Sequence, residues 1–144
     1  MKRRTARENA FIAVFEASFN AESMENIIAL SRETEEFAVD GYGEALIANF
    51  YAHSSEVDDI IKDKLKDWSL ARLPRVNAAI LRLAVTEMLF NGSDEMDSIV
   101  INEAVELAKK YAGDTDYQFI NGVLGAVSRE IHGEKYDACA AEEQ

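Results

Sequence analysis

The sequence predicts an all-α protein of about seven helices in one compact domain. Three observations predict it. Apolar residues recur at three- and four-residue spacing nearly throughout. Strand-like alternating segments are few. The single proline, Pro74, stands where a helix can begin rather than inside one. A chain of 144 residues is one domain's worth. It can bury about two-thirds of its unfolded surface, enough for one core without staples.

In order along the chain, Thr5 and Glu8 have the spacing of a capping box. Ala10, Phe11, Val14, Phe15 and Phe19 follow at helical spacing, so the first helix is expected over about 6–19. A second is expected over about 23–31, opened by Ser23, with Ile27, Ile28 and Leu30 inward. Asp40-Gly41 breaks the charged stretch that follows. Tyr42, Leu46, Ile47, Phe50 and Tyr51 mark a third helix, and Ser54 or Ser55 can cap a fourth carrying Val57, Ile60, Ile61, Leu65 and Trp68. Pro74 opens a fifth helix, which runs through Val76, Ile80, Leu83, Ala84, Met88 and Leu89 to a stop at Asn91-Gly92. Ser98 caps a sixth with Ile101, Ala104, Val105 and Ala108. Thr115 and Gln118 box the start of a seventh, with Phe119, Val123, Leu124 and Val127, ending at His132-Gly133. The domain is therefore expected over 1–133. Residues 134–144 are acidic, lack apolar spacing, and are expected to be a disordered tail.

The net charge is -12. As a total it argues against nucleic acid, but the distribution is polarised. Residues 1–10 hold Lys2, Arg3, Arg4 and Arg7 against Glu8, a net of +3, which leaves -15 for the rest. A basic arm on an acidic body either meets a localised anionic partner or is solvated and without a role. No apolar run has the length of a secretion signal or a bilayer span. The one cysteine, Cys139, permits no internal disulfide, and a soluble, cytoplasmic protein is expected.

Enzyme signatures are mostly absent from the sequence. His53 and His132 lack metal-ligand spacing, so no metal or other cofactor is expected. Cys139 sits among carboxylates that disfavour a thiolate. Gly41 and Gly43 belong to no phosphate-binding fingerprint, since residue 46 is Leu and no strand precedes them. No catalytic residue is assigned.

Two segments are less ordinary. Arg72, Arg75 and Arg82 enter an otherwise apolar helix, and Arg75 and Arg82, seven apart, share a face. They either grip phosphate or pair with the chain's 27 acids. In the second, Gly122 lies inside a helix beside Tyr117, Phe119 and Asn121. Close helix packing explains such a glycine. An aromatic beside an amide also offers a single-stranded base a stacking face and an edge reader.

Four runs carry a family resemblance. RRTARENA at 3–10, AILRLAVTE at 79–87, INEAVELAK at 101–109 and FINGVL at 119–124 stand in order over about 120 residues, and together they resemble the NusB family from end to end. The resemblance implies two packed helical bundles. It implies a non-enzymatic RNA-binding transcription factor that binds box A of nascent ribosomal RNA together with NusE, a small-subunit ribosomal protein, in an RNA polymerase antitermination complex. Homodimers are among the states it allows, and no membrane is involved. By the same resemblance Lys2, Arg3, Arg4, Arg7 and Arg75 are expected on RNA phosphates, and Phe119 and Asn121 on bases. Phe15 is a further RNA-contact position, where many relatives have Tyr. Asn77 and Gly125 stand where acids are common. The competing reading is an acidic helical protein-interaction module that binds no RNA.

Overall fold

Seven α-helices and one short 3-10 turn make up the regular structure of the described residues, and no strand is found among them. This computed structural model describes residues 2–19, 23–34, 38–65, 69–90 and 97–131. The helices are α1 (Arg3–Ala17), α2 (Met24–Thr34), α3 (Gly41–Ala52), α4 (Ser54–Lys64), α5 (Arg75–Phe90), α6 (Asp97–Tyr111) and α7 (Asp116–Ile131). Trp68, the Asn91-Gly92 and His132-Gly133 stops, Cys139 and the 134–144 tail lie outside the described residues.

The starts of α2 and α5 follow the expected chemistry, whereas Ser98, expected to cap α6, is already the second residue of a helix that begins at Asp97. The Ser23 hydroxyl accepts from the Asn26 N–H ahead of α2, and the Ala78 N–H reaches the Pro74 carbonyl at the start of α5. Asp40, expected only as part of a breaker, caps α3 by accepting from the Gly43 N–H at 2.8 Å. The serines do not cap α4; His53 precedes it and Ser54 is its first helical residue.

The largest departure is at α1. Thr5 does not cap it. The helix begins at Arg3, with the Ala6 N–H bonded to the Lys2 carbonyl at 2.9 Å. The expected arm is therefore the first turn of a helix. That turn holds no acid, and its cations sit at the positive end of the helix dipole, where positive charge is unfavourable unless offset.

α5 is the axis of the fold. Ten of its 16 residues are buried, and it packs against α1, α3, α4, α6 and α7. Around it α1 packs on α2 and α3, and α7 packs on α4 and α6. Phe11, Leu46, Ile47, Ile61, Leu81, Ile120 and Leu124 form one continuous apolar interior, removed from water at about 25 cal/mol per Å². α1 and α5 run antiparallel, since Arg7 meets Glu87 late in α5 while Phe19 meets Arg75 at its start.

Candidate nucleic-acid interface

Lys2, Arg3 and Arg4 are exposed together at the N-terminal end of α1. The Arg3 guanidinium lies over the Tyr42 ring, 3.8 Å from its centroid. Arg4 donates through Nε and Nη2 to the two carboxylate oxygens of Glu103 on α6, at 2.9 and 3.1 Å. That hydrogen bond and the Glu103 charge raise the Arg4 pKa. One turn on, Glu8 accepts from Lys110 at 2.6 Å and from the Tyr111 hydroxyl at 2.8 Å. The Lys110 contact is the main reason the Glu8 carboxyl lies below its ordinary range.

Arg7 is not part of this exposed set. Its side chain is 8% exposed, and its partner Glu87 on α5 is 2% exposed. Arg7 Nε donates to both Glu87 oxygens at 2.9 Å, and Nη2 adds a bond of 2.7 Å. The Tyr42 hydroxyl donates to the same carboxylate at 2.6 Å. Burial first, and then this bond, push the Tyr42 pKa up to about 12. The expectation that Arg7 meets phosphate is corrected: its fork is sunk in the core and engaged by an acid 80 residues away.

The other expected residues divide between two further places. α1 has 15 residues and so is about 22 Å long. Arg75 stands at its far end, with its guanidinium 4.4 Å from the Phe19 ring centroid. Phe15 meets Phe19 edge-on at 4.8 Å. Phe19, 59% exposed, is the aromatic most open to solvent among the described residues. Its spacing placed it on the apolar face of the helix; its position past the end of α1 puts it outside.

Phe119 and Asn121 do not share a face of α7. Two positions apart on a helix point about 200° from each other. Phe119 packs against the core, while Asn121 is exposed and lines a groove with Asn102, Val105 and Tyr117. Tyr117 is the aromatic that shares a face with Asn121, at the i,i+4 spacing that could have identified it. Lys109 Nζ lies 5.1 Å from its ring centroid. Gly122 is exposed, and a side-chain carbon added there would meet none of the described residues within 4 Å, so it serves no close packing among the described helices.

Arg82 takes the structural alternative. It is bonded to Asp58 of α4 through Nε and Nη2, at 2.9 and 3.2 Å, and so does not join Arg75 in an exposed pair. Asn77 is buried in α5, and its Oδ1 has no hydrogen-bond partner among the described residues. Among the described residues, no group of three or more His, Cys, Asp or Glu is placed to hold a metal ion. None of their helices is long and apolar enough to cross a membrane.

Comparison with known proteins shows the family and the fold. The NusB family model matches residues 4–129. Transcription antitermination protein NusB of Listeria monocytogenes is 37% identical over 130 residues, covering 90% of this chain and 98% of that protein. A structure of NusB from T. maritima has a TM-score of 0.78 at 33% identity, over 90% of this chain and 92% of that one. A chain in the crystal structure of antitermination factors NusB and NusE in complex with dsRNA gives a TM-score of 0.79 at 30% identity, over 89% of this chain and 96% of that one.

Proposed function

This chain belongs to the NusB family, and we propose that it is a non-enzymatic RNA-binding transcription antitermination factor. In this reading it acts in the cytoplasm, binding box A of nascent ribosomal RNA together with NusE as part of an RNA polymerase antitermination complex. The observation that carries the reading is the exposed cluster of Lys2, Arg3 and Arg4 at the start of α1. There the helix dipole adds to three formal positive charges, on a chain whose remainder is strongly acidic. Phosphate is the ligand such a locus attracts, and the acidic body suits a basic ribosomal protein. The solved relative in complex with NusE and dsRNA supports the same pairing of partners.

The RNA path in this reading starts at the cluster and follows α1 toward Phe15, Phe19 and Arg75. Tyr117 and Asn121 offer a second place for a base, with Phe119 behind them holding α7 to the core. The test is a titration of labelled box A RNA with and without NusE across a range of salt. Three cations on single-stranded RNA give a slope of log K against log salt of roughly -2. Replacing Lys2, Arg3 and Arg4 by Ala flattens that slope. Absence of RNA binding both with and without NusE would leave only a protein-interaction module.

A further inference from the structure

We propose that Glu103 is a positioning residue for RNA binding: it holds Arg4 by one edge of its guanidinium so that the opposite edge is presented to a phosphate. The proposal rests on the RNA-binding reading above. Glu103 comes from α6, 99 positions away in sequence, and takes the Nε and Nη2 donors of Arg4 on its two oxygens. Guanidinium is planar and has a second fork, formed by Nη1 and Nη2, that matches a phosphate's oxygens. The exposures fix the arrangement. The Glu103 side chain is 14% exposed and the Arg4 side chain 69% exposed. The carboxylate is sunk between α1 and α6, and the cation stands proud of it.

The arrangement answers two physical problems at once. Cations in the first turn of α1 oppose the helix dipole, and a carboxylate beside them offsets that cost. A long, flexible arginine must also be ordered before it can grip a phosphate, and a fork already held in place loses less freedom on binding. Arg3, lying over the Tyr42 ring, is held in the same spirit, with Tyr42 anchored on Glu87. Glu103 and Glu106 both line the hollow beside Arg4, and of these two it is Glu103 that is bonded to it.

General electrostatics predicts the opposite of positioning, which makes the proposal easy to break. Removing any acid near bound RNA relieves repulsion and tightens binding. Positioning predicts that Glu103→Gln weakens box A RNA binding, by about fivefold, the upper end for an exposed ion pair. It also predicts a salt slope shallower by about 0.7, the contribution of one phosphate on a single strand. Arg4→Ala gives the same two changes, and the double variant gives no further loss. Glu106→Gln, which removes the same charge without touching the fork, measures the bare charge effect and leaves binding unchanged or tighter. Glu103→Asp restores part of the affinity. In the RNA-free protein, the Arg4 Nε–H resonance shifts in Glu103→Gln and stays in place in Glu106→Gln. Thermal unfolding of both variants confirms that they fold. Tighter binding by Glu103→Gln, or binding equal to the parent, overturns the proposal while the RNA-binding reading stands. Loss in Glu103→Gln that persists undiminished when Arg4 is already Ala also overturns it. A parent protein that binds no RNA overturns both.

Discussion

Two arginines one turn apart on α1 make the same bond and do different work. Arg4 and Arg7 each meet a glutamate through Nε and Nη2. The Arg7–Glu87 pair is closed inside the protein, with the Tyr42 hydroxyl as a further donor. The Arg4–Glu103 pair sits at the rim with its cation in solvent. A buried pair is costly to form, because both charges leave water, and costlier to break, because the survivor is left uncompensated. A rim pair contributes little to stability, since water and salt screen it. The difference separates an internal anchor from a surface available for binding, although the two residues are chemically identical.

The largest expected effect tests the anchor. Arg7→Ala strands the Glu87 carboxylate in the core and is expected to cost about 3–5 kcal/mol of stability. Arg4→Ala is expected to stay within about 0.5–1 kcal/mol. Urea unfolding of both variants checks the contrast. Similar losses for the two, or a negligible loss for Arg7→Ala, would break the distinction drawn here.

Next in size is the hydroxyl that shares the buried carboxylate. Tyr42→Phe deletes a hydrogen bond to a charged, buried acceptor, at about 1.5–3 kcal/mol. The effect has a pH signature. Folding raises the Tyr42 pKa to about 12 from an ordinary value of 10. The stability linked to its proton is therefore complete below pH 10 and is lost as pH rises toward 12. Tyr51 and Tyr111 are also raised, each first by burial, so alkaline loss persists in Tyr42→Phe but with a smaller slope. An alkaline limb identical to the parent's would show that Tyr42 is not held as described.

These pairings explain what was legible in the sequence and what was not. The helices were legible because each buries a stripe of apolar residues, and the 3.6-residue period records that stripe locally. The start of α1 was not. Local rules place Thr5 at the cap and resist cations in a first turn. What holds the first two turns of α1 is Glu103 on Arg4 and Glu87 on Arg7, 99 and 80 positions away from their arginines, and no local pattern encodes a partner at that distance. The fate of Arg82 was visible as one of two alternatives, but choosing Asp58 over phosphate required the packing of α4 on α5. The choice between Phe119 and Tyr117 as the companion of Asn121 was legible after all: i,i+4 shares a helix face and i,i+2 does not.

The smallest expected effect concerns a residue that belongs to neither the anchor nor the rim. Gly122 lies on the exposed side of α7 beside Asn121, with open space where a side chain would go. Glycine in a helix interior is destabilising by roughly 0.5–1 kcal/mol relative to Ala, and nothing among the described residues requires it here. Gly122→Ala is therefore expected to stabilise the protein by about that amount, measured as a higher midpoint in urea. The informative comparison is with binding. If box A RNA and NusE bind Gly122→Ala as they bind the parent, the interface is confined to the α1 end of the molecule and the rim pair is its main device. If the more stable variant loses affinity for either partner, that partner approaches the α7 backbone closely enough to exclude one methyl group. The surface beside Asn121 then joins the cations of α1 as part of the interface.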